Sequence, residues 1–166
     1  MAEVLLQVGA GVDCLNSLDE SRLTMQLRFG LVDGARFLLE RGANPNHGLS
    51  AHLPSDTMAA RIELLLKHGW DINRGQLLHG ANHGHGCRVQ TWLKYGADPK
   101  IADANDQTAL HFLAARGTCR DAIHTLVEGE ANIGATNADG DTPLDLALKA
   151  GKQVAAEMLR NLSTKS

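Results

Sequence analysis

The sequence predicts an all-α solenoid of stacked helix-turn-helix units, and three observations carry that prediction. An apolar triplet with helical spacing recurs along the 166 residues. A glycine follows most of the triplets at a fixed distance, and a polar turn follows the glycine. Aromatic residues make up only 4% of a chain that is 43% apolar, so the core must be built from Leu, Ala, Val and Ile. Side chains of that size suit thin helical layers better than a thick sandwich or barrel.

The triplet copies run in order. Ala2-Leu5-Leu6-Gly9 is the first and Ala35-Leu38-Leu39-Gly42 the second. Ile62-Leu65-Leu66-Gly69 and Val89-Trp92-Leu93-Gly96 follow. Ile123-Leu126-Val127-Glu130 keeps the triplet and loses the glycine, and Ala155-Met158-Leu159 closes the series. Spacing of i, i+3, i+4 puts each triplet on one helical face. The glycine ends the helix in the left-handed conformation usual just past a C-cap. Asn, Asp and Pro then form turns, as in Gly42-Ala43-Asn44-Pro45-Asn46 and Gly96-Ala97-Asp98-Pro99. A smaller helix precedes each triplet, clearest at Thr108-Ala109-Leu110-His111 and Thr142-Pro143-Leu144-Asp145. Pro143 fits a first helical turn, where its missing N–H has no partner to lose. Turns between the two helices of a unit fall at Gly30, Gly84, Gly117 and Gly151.

These two alternating motifs resemble the ankyrin-repeat family over essentially the whole chain. Thr108-Ala109-Leu110-His111 and Thr142-Pro143-Leu144-Asp145 look like its Thr-Pro-Leu-His signature. Leu65-Leu66-Lys67-His68-Gly69-Trp70-Asp71-Ile72-Asn73 and Leu38 to Asn46 look like its helix-ending segment, and Gly84-His85 like its Gly-His turn. The resemblance implies β-hairpin fingers between repeats and a concave binding surface built from fingers and first helices. It also implies a structural role for His111, bonded to a neighbouring turn.

The helix-ending positions are spaced 33, 27, 27 and 34 residues apart, against a family period of 33. The two short intervals predict missing or stunted fingers after Gly42 and after Gly69. Normal fingers are expected around Asp103–Gln107 and Asn137–Asp141. The extra residue of the last interval is expected in the turn Ala115–Cys119, and Gly129 rather than Glu130 is expected to cap its helix. Approximate repeats are 14–46, 47–73, 74–100 and 101–134. A half repeat or N-terminal edge over 1–13 and a capping repeat over 135–166 flank them. The edge reads as a lone second helix, either a cap or the cut end of a longer protein.

Several function classes recede. Net charge is -3 with both signs interspersed, so no basic nucleic-acid footprint is present. No apolar run approaches the roughly 18 residues of a membrane span. The opening residues MAEVLLQVGAGVD lack the basic and apolar regions of a secretory signal. Cys14, Cys87 and Cys119 are odd in number and form no CxxC pair. They read as free, partly buried thiols of a reducing compartment, the cytoplasm or nucleus.

His79, His83, His85 and Cys87 form an H-x3-H-x-H-x-C run of good zinc ligands. Gly80, Gly84 and Gly86 break that run, and His85 belongs to the turn motif, so no metal or other cofactor is expected. Catalytic pairings exist in composition only: Cys87 or Cys119 with His83 or His111, or Asp56 with His52. No nucleophile elbow, zincin or P-loop pattern supports them.

The reading is a non-catalytic module that binds another protein. Its binding residues, placed by motif position, are Arg28 and Phe29, Ser55 and Asp56, Asn82 and His83, Arg116, and Lys149. On the fingers they are Ala104, Asn105 and Gln107, then Ala138, Asp139 and Asp141. Phe29 is either an exposed interface anchor or tucked into a neighbouring repeat. Acidic fingers (Asp103, Asp106, Asp139, Asp141) point to a partner with a basic patch. The alternative is a small-molecule binder or enzyme in the gap left by the missing fingers, near His52, Asn82 and His83. A third reading is an assembly subunit joined through the N-terminal edge. Leu65 with Asp71-Ile72-Asn73 is similar to a pattern hydroxylated at asparagine in many animal ankyrin proteins, which makes Asn73 a modification candidate.

Overall fold

In the computed structural model, residues 11–17, 20–47 and 58–164 are described. Nine α-helices occur among them: α1 Arg22–Arg28, α2 Val32–Glu40, α3 Met58–Lys67, α4 Gln76–Asn82, α5 Gly86–Lys94, α6 Ala109–Arg116, α7 Arg120–Glu128, α8 Pro143–Lys149 and α9 Gln153–Ser163. The chain divides into two compact units, residues 1–71 and 72–166. In the first, α1 pairs with α2 and α3 follows. In the second, α4, α6 and α8 pack side by side as one layer, and α5 and α7 pack in a second layer. That is the helix-turn-helix stack read from the sequence.

The cores follow the triplets. Ala35, Leu38 and Leu39 are buried, as are Ile62 and Leu65, Val89 and Trp92, Ile123 and Leu126, and Ala155 and Leu159. The third triplet position is only half-buried at Leu66, Leu93 and Val127. First helices contribute Leu23 and Leu27, or Leu110, Leu113 and Ala114, all fully buried.

N-caps decide where first helices start. Ser21, Thr108 and Thr142 have extended backbones, which frees the side chain to bond within the first turn. The Ser21 hydroxyl accepts from the Thr24 N–H at 3.1 Å. Asp145 closes a capping box with Thr142, accepting its N–H at 3.0 Å while the Thr142 hydroxyl accepts from the Asp145 N–H at 3.2 Å. Helix α4 has no such device: its N-cap is Gly75, left-handed at φ 93°. The cap has gone together with the finger that would carry it.

Fingers appear where full spacing leaves room. Antiparallel bridges join Ala102 to Thr108 and Leu15 to Ser21, and no longer strand occurs among the described residues. The Asp103 N–H donates to the Gln107 carbonyl at 3.0 Å, and the Asn137 N–H to that of Asp141 at 3.0 Å. Both expected fingers are therefore present, and the Leu15–Ser21 bridge, with the Asn16 N–H donating to the Glu20 carbonyl at 2.9 Å, marks the base of a third. From the end of α3 at Lys67 to the start of α4 at Gln76 the chain has no finger. The expected loss after Gly42 falls within 48–57, outside the described residues, as do Ala2–Gly9.

Two irregularities of the last interval resolve differently. Helices α2, α5 and α9 each begin two residues after their turn glycine, Gly30, Gly84 and Gly151. Helix α7 begins three after Gly117. The extra residue lies in the turn, where Cys119 itself is left-handed at φ 61°. Gly129 is the C-cap of α7, as expected, but this does not spare Glu130 the strained conformation: Gly129 has φ -81°, and Glu130 is left-handed at φ 65°. The reason is the helix-ending bond. The Ala131 N–H reaches the Leu126 carbonyl at 2.9 Å, as Ala43 reaches Leu38 and Ala97 reaches Trp92, and only a left-handed residue just before it allows this. Holding a side chain there costs about 1–2 kcal/mol, partly offset by the greater chain entropy glycine loses on folding. Glu130→Gly is therefore expected to stabilise the protein by roughly 0.5–1 kcal/mol, read as a higher urea midpoint with unchanged slope. A lower midpoint would refute the strain assignment.

Candidate functional site

First helices and fingers carry the residues expected to bind a partner, and a repeated set of hydrogen bonds pins each finger base. At each finger base one side-chain oxygen collects backbone N–H groups. Asp103 accepts from Asn105 at 2.8 Å and Gln107 at 3.0 Å, and Asn137 from Asp139 at 3.0 Å and Asp141 at 2.8 Å. In the first unit Asn16 accepts from Glu20 at 3.0 Å. The fingers of the second unit are also tied to each other, since the Ala138 N–H donates to the Asn105 carbonyl at 2.9 Å. Ala104, Asn105, Asp106, Ala138 and Asp139 remain exposed at the tips, with Gln107 and Asp141 half-buried below them.

His111 holds two repeats together. Its Nδ1 accepts from the Thr108 N–H at 3.1 Å and lies 2.9 Å from the Thr108 hydroxyl. With Nδ1 an acceptor, Nε2 carries the proton and donates to the Asp141 carbonyl of the next finger, 3.1 Å away. Burial holds its pKa below the usual histidine value, partly opposed by that carbonyl. This is the structural role the resemblance implied.

A second ladder runs through the loops after the outer helices. Asp13 accepts from the Asn44 N–H, Asn46 from the Asp71 N–H and Asn73 from the Asp98 N–H, each at 2.9 Å. Asn73 is thus an exposed residue with its side-chain oxygen already bonded. Lys100 takes the corresponding place in the next repeat, where a donor replaces the acceptor, and it pairs instead with Glu130 at 3.3 Å.

Besides Ala138 and Asn105, two further pairs of the expected binding residues are brought together. Arg28 bonds Glu20 at 2.6 Å and lies 5.2 Å from the centre of the Phe29 ring. Lys149 bonds Asp141 across the last finger, an arrangement equivalent to Arg28 and Glu20. Asp141 therefore pulls the Lys149 pKa up, and the Thr142 hydroxyl and N–H hold Asp145 below the usual carboxylate range. Phe29 is 64% exposed, so its side chain is not tucked into a neighbouring repeat. Arg116 is exposed at the end of α6, as are Asn82 and His83 at the end of α4. Ser55, Asp56 and His52 lie outside the described residues.

The histidine run does not converge. The His79 and His83 rings lie 4.1 Å apart at 34°, and those of His83 and His85 6.1 Å apart. The His83 Nδ1 is 2.9 Å from the His79 carbonyl oxygen. Among the described residues no three His, Cys, Asp or Glu side chains come together around a point that could hold a metal ion. Cys14 and Cys87 are exposed, which corrects the expectation of partial burial; Cys119 is half-buried. No helix of the described residues is long and apolar enough to cross a membrane.

Sequence reasoning missed the first finger and its cap. Ser21-Arg22-Leu23-Thr24 stands where Thr108–His111 and Thr142–Asp145 stand in later repeats. It replaces both terminal residues of the motif yet keeps a hydroxyl cap bonded to the same N–H. The signal was available in Asn16-x3-Glu20, matching Asp103-x3-Gln107 and Asn137-x3-Asp141.

Paired helices, fingers and left-handed turns in this order define a class of repeat protein. The chain belongs to the ankyrin-repeat family: the family model for ankyrin repeats (3 copies) matches residues 77–165. It is 32% identical over 141 residues to human (Homo sapiens) ankyrin repeat and SOCS box protein 6, covering 72% of this chain and 33% of the relative. It is 31% identical over 157 residues to ankyrin repeat and SAM domain-containing protein 6 of Danio rerio, covering 87% of this chain and 20% of the relative. Over 71 residues it is 37% identical to ankyrin repeat and SOCS box protein 16 of Mus musculus, covering 43% of this chain and 16% of the relative. The chain thus spans a third or less of the length of these relatives. Ankyrin repeats are general protein–protein interaction modules.

Proposed function

We propose that this chain is a non-catalytic binding module that recognises another protein through its fingers and first helices. One observation carries the reading. The finger bases are pinned by side-chain and inter-finger hydrogen bonds, while Asn105, Asp106 and Asp139 project into solvent without serving the core. Rigid display of side chains lowers the entropic cost of binding. Acidic tips favour a partner with a basic patch, whose association they accelerate at low salt. Phe29, with a cation near its ring, supplies the apolar anchor in the first unit.

The test is quantitative affinity purification with the wild-type chain and the double variant Phe29→Ala, Arg116→Ala. Both side chains are exposed, so folding is expected to survive, as circular dichroism will check. Losing an aromatic anchor or an arginine from the binding surface of the unit that carries it typically costs about 2–4 kcal/mol, or at least thirtyfold in affinity. Genuine partners should be strongly depleted. If all of them are retained at wild-type levels, the surface assignment is wrong.

A further inference from the structure

The second helices of the second unit carry a feature that neither the finger surface nor the core accounts for. Helices α5 and α7 pack side by side, whereas α9 packs mainly on α8 and stands off from α7. A groove of about 370 Å³ lies between α7 and α9. The turn that opens α7, Gly117–Cys119, is the longer one. The extra residue lets Cys119 reach back, and its thiol donates to the Gly84 carbonyl at 3.0 Å. Cys119 also sits close against α5, where a Cβ on Gly86 would fall 2.4 Å from the Cys119 Cβ. The start of α7 is thereby held on α5.

Val154, Met158 and Leu162, spaced i, i+4, i+8 along α9, line the groove, and Val154 is 52% exposed. The stripe is about 12 Å long at 1.5 Å per residue, the length of two helical turns. Arg120 and His124, one turn apart on α7, form the facing wall, and His124 pairs with Glu128 at 3.3 Å. The groove is electrically polar along its length. The Lys152 stem lies across Gly117, so the turns that open α7 and α9 are neighbours and both helices start at the same end. Neither N-cap supplies a side-chain acceptor. Arg120 and Lys152 add positive charge to those two helix starts, against Asp121 alone in the opposite sense. Glu157 and Glu128 lie further along.

We infer that this groove receives an amphipathic helix of a second protein, running antiparallel to α7 and α9. Its apolar face covers Val154, Met158 and Leu162, and acidic residues of its last turn sit beside Arg120 and Lys152. The antiparallel sense follows from charge. It places the negative end of the partner's helix dipole, and its acidic turn, at the positive end of the groove. The site is on the layer opposite the fingers, so it stands or falls independently of the finger surface.

The test uses two fluorescent stapled helical peptides read by anisotropy on the full chain. Both carry leucines at i, i+4 and i+8; one has glutamates in its last turn and the other lysines. The acidic peptide is expected to bind at least tenfold more tightly. Arg120→Glu should reverse that preference, and Val154→Glu should abolish binding of both. Val154 is exposed, so the last variant should fold, with circular dichroism as the check. The inference is overturned if neither peptide binds, if both bind alike, or if Val154→Glu changes nothing. It is equally overturned if the chain alone doubles its mass with concentration and Val154→Glu prevents this, since the occupant would then be a second copy.

Discussion

Trp92→Ala is expected to lower the stability of the second unit by about 3–5 kcal/mol, the largest effect of any single truncation among the described residues. Trp92 is 2% exposed and is the largest fully buried side chain among the described residues. It sits at the middle position of the α5 triplet, and its carbonyl accepts the Ala97 N–H that ends the helix, at 3.0 Å. Removing the indole leaves a cavity between layers that are only one helix thick, with little bulk nearby to collapse into it. A small domain has only about 5–15 kcal/mol in total. Urea unfolding followed by circular dichroism should therefore show the midpoint falling by a large fraction, with Trp92→Phe in between. A shift below about 1 kcal/mol would mean that the layers are not packed as described.

The second large effect is acid destabilisation through His111. Its folded-state pKa lies below the unfolded value of about 6.5, because burial disfavours the imidazolium. The folded state then binds fewer protons than the unfolded state. The His111 contribution is complete above about pH 6.5 and is lost as pH falls through that value towards the lowered folded pKa. Protonation would also place a donor at Nδ1 facing the Thr108 N–H, a clash of two donors. His111→Gln should cost about 2–3 kcal/mol at neutral pH, since it disturbs the bonds to Thr108 and to the Asp141 carbonyl. Its stability should then fall less steeply than that of the wild type between about pH 7 and pH 5. Parallel pH profiles would contradict this assignment.

Much of the fold was legible because it depends on features that sequence shows directly. The Ala35-Leu38-Leu39 and Ile123-Leu126 spacings have a single helical explanation, and turn glycines such as Gly84 and Gly117 mark positive φ. The missing finger before α4 could be read because residue counts alone limit what a loop can form. Glu130 was misread because local propensity favours glycine, whereas the Ala131–Leu126 bond decides the conformation. The Ser21 cap was missed because a hydroxyl can do the work of another residue at the same spot, so chemistry persisted while identity changed. Site residues were harder. Exposure of Phe29, and the pairing of Lys149 with Asp141, are properties of packing between elements and leave no mark on spacing. The α7–α9 groove was beyond reach for the same reason. The inserted residue was visible in the sequence, but the side to which it draws α7 depends on the contact of Cys119 with Gly84 and Gly86.

The central claim is that fingers and first helices form the binding face. Hydrogen exchange of the chain, alone and bound to a partner that the Phe29→Ala, Arg116→Ala variant fails to retain, tests it most directly. Slowed exchange over residues 103–107 and 137–141 is the predicted footprint. Unchanged exchange at both fingers in a saturated complex would contradict the claim.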